Sequence, residues 1–184
     1  MINLKLDNET FELRNEANEI DLHELNKIVN IMSFPDLVLT EKFEAIFKVL
    51  GLPDNDMDAN AMVDLIKNFN VFKAKNIQLQ SEIEMKGYKY VAFEGKEFKF
   101  KAKELICLEK EIQKNRIKIA QGKETGNLVS YILALIFKRE DLTNNEHYEN
   151  LHLELKAKLF EDHVKADFAI PYINLISKNI FDLV

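Results

Sequence analysis

The stretch LVSYILALIF, residues 128–137, is the most apolar part of the chain. It is ten residues long, whereas a helix needs about 20 apolar residues to cross the hydrocarbon layer of a bilayer. Apolar side chains occur on every side of the helix that this stretch would form, which is typical of a helix surrounded by other elements. We therefore predict a central helix that is enclosed by the rest of the fold, and no membrane segment.

Two amphipathic patterns follow the central stretch. From residue 145 to about residue 165, helical spacing predicts one buried stripe made of Tyr148, Leu151, Leu155, Leu159 and Phe160. The last segment predicts another helix, with Pro171 tolerated in its first turn, and its stripe is Tyr172, Ile173, Ile176, Ile180 and Leu183. A chain end is ordered only when packing holds it. We therefore expect this second stripe to lie in a groove, either of the protein's own core or of a binding partner.

The first 70 residues contain three shorter helical patterns. Asp21 and Glu24 have the spacing of a capping box and predict a helix near 21–33. Thr40 is the expected cap of a second helix, which ends at Gly51 and buries Phe43, Ile46, Phe47 and Leu50. The third helix, from about 58 to 69, is expected to present Met62, Val63, Ile66 and Phe69 on one face.

Two stretches alternate with a period of two and predict β-structure. Residues 2–13 read as a hairpin, and residues 78–101 read as an antiparallel hairpin or meander with turns at Gly87 and Gly95. Phe98 and Phe100 would lie in the last strand of the meander. Helical spacing then returns in residues 102–121, with Leu105, Leu108 and Ile112 on one side and Gly122 as a stop signal.

Together these patterns predict an α+β fold that is mainly α-helical, with about six to seven helices, an N-terminal β-hairpin and a central antiparallel β-hairpin or meander. The period changes near residues 70–82, which separates an N-terminal region, residues 1–75, from a C-terminal region, residues 76–184. A chain of 184 residues suffices for one core or two very small ones. The two regions are therefore either small domains or halves of one compact domain.

The composition argues against several kinds of chemistry. The single cysteine, Cys107, cannot form an intramolecular disulfide, and its helix predicts a small core residue. The acidic stretch Asp54–Asp58 departs from a calcium loop, because Ala59 replaces the required glycine. The spacing of the four histidines does not suit a shared metal ion, and we expect all four on the surface: His23, His147, His152 and His163. We predict no enzyme activity, no metal and no cofactor.

The charge is unevenly distributed. The chain has 25 Lys and Arg against 31 Asp and Glu, a net charge of −6, which does not favour binding of nucleic acid or anionic membranes by the whole protein. Residues 96–123, however, carry nine basic and four acidic residues, so this segment is +5 and the remainder −11. We expect its basic face, including Lys114, Arg116 and Lys118, to bind an acidic protein or an acidic patch of another copy. The alternative is an accessory nucleic-acid-binding or regulatory protein that uses the same segment.

The order of these elements resembles the small assembly proteins of tailed bacteriophages, namely the tail-assembly chaperones and the related baseplate-hub proteins. The matching pieces are the hairpin INLKLDNETFEL, the capped helix EIDLHELNKIV, a helix ending in LGLP, the central hairpin with Gly87-x-x-Tyr90, the basic helix, the apolar ILA-containing helix, and the Phe/Ile-rich C-terminal segment. The resemblance implies a non-enzymatic structural or assembly protein that binds other phage structural proteins, alone or as a homo-oligomer. It also implies a location in the virion or the host cytoplasm, and it carries over no catalytic residues.

Overall fold

Helices dominate the computed structural model, which describes residues 2–6, 9–34, 36–53, 59–71, 79–92, 102–120 and 127–181. These residues contain eight α-helices: α1 (Leu22–Ser33), α2 (Leu39–Val49), α3 (Ala59–Asn68), α4 (Ala102–Ala120), α5 (Leu128–Ile136), α6 (Asn144–His147), α7 (Asn150–His163) and α8 (Ala166–Phe181). They also contain five strands: β1 (Ile2–Leu6), β2 (Glu9–Leu13), β3 (Glu82–Met85), β4 (Tyr88–Ala92) and β5 (Phe137–Arg139). The predicted α+β, mainly helical fold class is confirmed.

The strands form two separate antiparallel sheets. β1 and β2 pair as the predicted N-terminal hairpin, and the second sheet has the order β3-β4-β5. Lys86 and Gly87 make the tight turn between β3 and β4, both with positive φ. The third strand was predicted around Phe98 and Phe100, which lie outside the described residues. The strand that pairs with β4 is β5, which follows α5 directly.

The apolar helix α5 lies at the centre of the fold, as predicted. Every side chain from Val129 to Ile136 is buried, and α1, α4, α7 and α8 all pack against the helix. The helix ends one residue earlier than the apolar stretch does, because Phe137 already belongs to β5. An enclosed helix satisfies its own backbone along its length, but the N–H groups of its first turn and the C=O groups of its last turn need other partners.

A side chain of α1 provides the partner at the N-terminus of α5. Asn127, the N-cap residue, makes no capping hydrogen bond with its own side chain. Instead Asn26 Oδ1 accepts a hydrogen bond from the Val129 N–H at 2.8 Å. The Asn26 amide nitrogen donates to Ser130 Oγ at 2.8 Å and to Glu161 Oε1 of α7 at 3.2 Å. One buried amide therefore joins α1, α5 and α7.

Two basic side chains provide the partners at the C-terminus of α5. Lys156 Nζ of α7 donates to the Ala134 carbonyl at 2.8 Å, to the Phe137 carbonyl at 3.3 Å and to His147 Nδ1 at 2.7 Å. The other ring nitrogen of His147 lies 3.2 Å from the Leu135 carbonyl, to which it donates. His147 is completely buried, so the prediction of four surface histidines was wrong for this residue.

Contacts between the N-terminal and C-terminal helices surround this centre. α1 packs against α5, α7 and α8. The Ala166 N–H donates to the Ile20 carbonyl at 3.0 Å, and Asp21 forms an isolated antiparallel bridge with Lys165. The predicted capping box at the start of α1 is present, because the Glu24 N–H donates to Asp21 Oδ1 at 2.7 Å and the Asp21 N–H to the Glu24 carboxylate at 3.2 Å.

Three local predictions were wrong in detail. α2 begins at Leu39 with Val38 as its N-cap, where Glu41 accepts the Val38 N–H at 3.0 Å, so Thr40 is not the cap. α3 buries Leu65 and leaves Val63 exposed. α8 begins at Ala166, so Pro171 lies inside the helix and not in its first turn. Such a proline removes one helical hydrogen-bond donor.

The first prediction compares two leucines that both lie in apolar helical patterns. Leu133→Ala should destabilise the protein by about 2–5 kcal/mol, because Leu133 is fully buried in α5 and the substitution leaves a cavity. Leu155→Ala is the matched control and should change the free energy of unfolding by less than about 1 kcal/mol, since Leu155 lies in solvent. Urea denaturation followed by circular dichroism measures both values. Equal losses would contradict the central position of α5.

The second prediction concerns the pH dependence of stability. Burial and, to a smaller extent, the nearby Arg139 cation together lower the pKa of Lys156 to about 7. Between pH 7 and the usual lysine pKa, the unfolded chain therefore binds a proton that the native protein has released. The contribution of Lys156 to stability must rise with pH over this window, by at most about 1.4 kcal/mol per pH unit.

The measurement uses the difference between two proteins, so that other titrating groups cancel. The free energy of unfolding of the wild type minus that of Lys156→Met should increase from pH 7.5 to pH 9.5. The neighbouring exposed Lys158 is the matched control, and Lys158→Met should give a flat difference. A flat difference for both variants would show that Lys156 keeps its proton in the core.

Candidate protein-binding surface

The orientation of α7 decides which of its apolar residues reach the surface. Its buried side chains are Leu153, Lys156, Ala157 and Phe160, a spacing that defines one helical face. Leu151 and Leu155 lie elsewhere on the helix and are 65% and 60% exposed. The predicted stripe was therefore wrong at these two leucines, although Phe160 is fully buried and Leu159 is half-buried.

The sequence does contain the pattern of the buried face of α7, but a lysine occupies one of its positions. Leu153, Ala157 and Phe160 are spaced by four and three residues, as a buried helical face requires. Lys156 completes this face, and a lysine at a core position is normally interpreted as a surface residue. The carbonyl groups and the imidazole that receive its hydrogen bonds become apparent only in the folded structure.

Helix α4 presents a second set of apolar side chains to solvent. Leu108 and Glu111 are buried on the side that packs against α5, whereas Ile106 and Ile117 are exposed, Ile117 to 57%. Ile117 lies in a shallow open groove of about 520 Å³ on α4. The other residues that line this groove are polar: Glu109, Lys110, Gln113, Lys114 and Lys118.

An ion pair joins the exposed sides of α4 and α7. Lys114 Nζ lies 3.0 Å from Glu154 Oε1 and 3.5 Å from Glu111 Oε2. The hydrogen bond from Lys114 lowers the pKa of Glu154, and the same bond raises the pKa of Lys114. Both side chains of the pair are nearly half exposed, so it contributes about 0–1 kcal/mol to stability.

This pair links Lys114, which lines the groove of α4, to Glu154, which lies between Leu151 and Leu155 in the sequence of α7. We name the resulting surface the α4–α7 face and define it by Lys110, Lys114, Ile117, Lys118, Leu151, Glu154 and Leu155. It combines three exposed apolar side chains with three lysines. Of the basic residues singled out in the sequence, Lys114 and Lys118 lie here, and the side chain of Arg116 lies outside the described residues.

The C-terminal stripe is divided between the core and residues whose side chains are not described. Tyr172 is buried against Phe137 and Phe168, and its hydroxyl donates to the Gln80 carbonyl. Burial raises the pKa of Tyr172 to about 12. Ile173 is half-buried and packs against the core. The side chains of Ile176 and Ile180 and all of Leu183 lie outside the described residues, so only the start of the stripe can be assigned to the core.

A second concavity, of about 510 Å³, lies beside the N-terminus of α5. Its polar lining includes Asn26 and Glu161, which hold α1, α5 and α7 together, and His23, whose ring nitrogen lies 3.2 Å from Glu161. Its apolar lining is Ile31, Phe34 and Val49. Asn26 and Glu161 of this cleft thus already take part in the hydrogen bonds that hold the helices together.

The described residues offer no centre for metal chemistry. No cluster of three or more His, Cys, Asp or Glu side chains among them could hold a metal ion. Cys107 is half-buried and packs against the core. His23 and His163 lie on the surface as predicted, and His152 is half-buried. None of the helices within the described ranges is both long and apolar enough to cross a membrane.

The α4–α7 face, which combines exposed apolar side chains with lysines, is therefore the candidate protein-binding surface among the described residues. It has no nucleophile paired with a base and no enclosed pocket for a substrate among the residues that define it. Comparison with known proteins adds no family to this description: no family model matches the chain, and neither a curated protein nor a solved structure shows significant similarity to it.

Proposed function

We propose that this protein is a non-enzymatic structural or assembly protein of a tailed bacteriophage, which binds other phage structural proteins through the α4–α7 face. The observation that supports binding is the exposure of Leu151, Leu155 and Ile117 around an ion-paired lysine. Clustered apolar side chains that are rimmed by charge are typical of protein interfaces. The assignment to phage assembly rests on the resemblance of the sequence to tail-assembly chaperones and baseplate-hub proteins, and it implies a location in the virion or the host cytoplasm.

The composition of this face favours a protein partner over a nucleic acid. A face that binds phosphates needs unpaired cations, but Lys114 is within 3.5 Å of two carboxylates. Leu151 and Leu155 cannot stack on bases as aromatic side chains would. They can enter an apolar groove or pack against an apolar helix of another protein, while Lys110 and Lys118 meet acidic side chains around the contact.

The third prediction tests this function at one residue. A photo-crosslinking amino acid at position 155 should capture phage structural proteins in infected host cells, identified by mass spectrometry. The same amino acid at position 63 is the control, because Val63 is an exposed apolar residue of α3 and is not part of the α4–α7 face. We expect capture from position 155 only.

A second variant separates binding from folding. Leu151→Glu combined with Leu155→Glu should keep the free energy of unfolding within about 1 kcal/mol of the wild type, because both side chains lie in solvent. The same variant should abolish capture by a crosslinker at position 117. If capture continues, or if only host proteins are captured, the proposed function is wrong. Retention of DNA at low salt that is lost in Lys110→Glu would favour the nucleic-acid alternative.

A further inference from the structure

A second exposed apolar group lies at the start of α2. Val38 and Leu39 are 60% and 58% exposed, although both are large aliphatic residues. The charged side chains closest to them in sequence are Asp36 and Glu41, and both are exposed acids. We name the four residues Asp36, Val38, Leu39 and Glu41 the α2 corner. It has an apolar centre, as the α4–α7 face does, and the opposite charge.

The backbone holds the α2 corner in a fixed conformation. The Val38 carbonyl accepts a hydrogen bond from the Lys42 N–H at 3.0 Å, and the Glu41 carboxylate accepts the Val38 N–H at 3.0 Å. The Lys42 amine, the nearest cation in sequence, is engaged elsewhere, because its Nζ donates to the Met32 carbonyl at 2.9 Å. Within the part of the chain that the structure describes, neither the Asp36 carboxylate nor the Glu41 carboxylate forms an ion pair with a cation.

From this pairing of surfaces we propose that the α4–α7 face binds the α2 corner of a second copy of the same chain. Leu151, Leu155 and Ile117 would pack against Val38 and Leu39, and Lys110 and Lys118 would lie near Asp36 and Glu41. This inference rests on the proposed function, because it names one occupant of the α4–α7 face. Each copy carries both surfaces, so the stoichiometry of the contact is one to one.

Charge disfavours the two contacts between identical surfaces. Two α2 corners would bring four carboxylates together, and two α4–α7 faces would bring together six lysines and only two glutamates. The contact between unlike surfaces pairs opposite charges around an apolar centre. A contact of this kind is heterologous, so it extends from copy to copy into a ring or a filament, unless the geometry lets two copies close both contacts at once.

The experiment measures self-association by sedimentation velocity over a range of protein concentrations. The wild type should associate, and the association should weaken as salt rises because salt screens the charges. Leu155→Glu, which changes the face, and Leu39→Glu, which changes the corner, should each weaken association by about tenfold or more. Val63→Glu is the matched control on α3 and should associate as the wild type does. Thermal unfolding by circular dichroism shows whether each variant is folded.

Mixing the two variants gives the sharper result. Leu155→Glu retains an intact corner, and Leu39→Glu retains an intact face. An equal mixture should therefore form one-to-one pairs, and no larger assembly, although each variant alone stays monomeric. A contact between identical surfaces would instead leave one of the two variants able to pair with itself, and the mixture would contain no pairs between the two variants. That outcome would overturn the proposal.

The outcome also separates this inference from the proposed function. If the wild type stays monomeric at every concentration while the crosslinker at position 155 captures another phage structural protein, the second copy is the wrong occupant and the proposed function stands. If the wild type associates but crosslinks only to itself in infected cells, the self-contact is correct and binding to other phage proteins is wrong.

Discussion

The fold depends on satisfying the two buried ends of α5. An apolar helix that is enclosed on all sides gains free energy from burial, but its terminal N–H and C=O groups lose water and need polar partners. Asn26 supplies the partner at one end, and Lys156 with His147 supplies the partners at the other. These side chains come from α1, α6 and α7, so the helices that cover α5 also complete its hydrogen bonds. The polar contacts fix the positions of helices that apolar packing alone would leave free to slide or rotate.

The hydrogen bonds at the end of α5 also determine which side chains of α7 are exposed. The amine of Lys156 must point to the end of α5, which sets the rotation of α7 about its axis. Leu153, Ala157 and Phe160 then face the core, and Leu151 and Leu155 face solvent. The exposed leucines are thus a consequence of the buried lysine. An apolar residue in place of Lys156 would remove the hydrogen bonds that distinguish this rotation from one that buries Leu151 and Leu155.

Periodicity alone predicted the elements well and their faces less well. The central helix, the capping box of α1 and the hairpin around Gly87 depend on local patterns, and each is present as predicted. The errors occur where a polar residue is buried by a distant partner, as with His147 and Lys156, or where a strand comes from a distant region of the chain, as with β5. The α4–α7 face belongs to the same class, because the pairing of Lys114 with Glu154 joins helices that are far apart in sequence.

The direct passage from α5 into β5 has a consequence for the order of folding. β3 and β4 are joined by a tight turn and can pair with little loss of chain entropy. β5 adds to β4 through Ala92 and Phe137, so this pairing closes a loop that contains all of α4 and α5. The entropic cost of closing such a loop favours docking of α5 first. Ile136 of α5 is followed directly by Phe137 of β5, so docking of α5 places β5 next to β4. The third strand therefore pairs only after the helical core has formed.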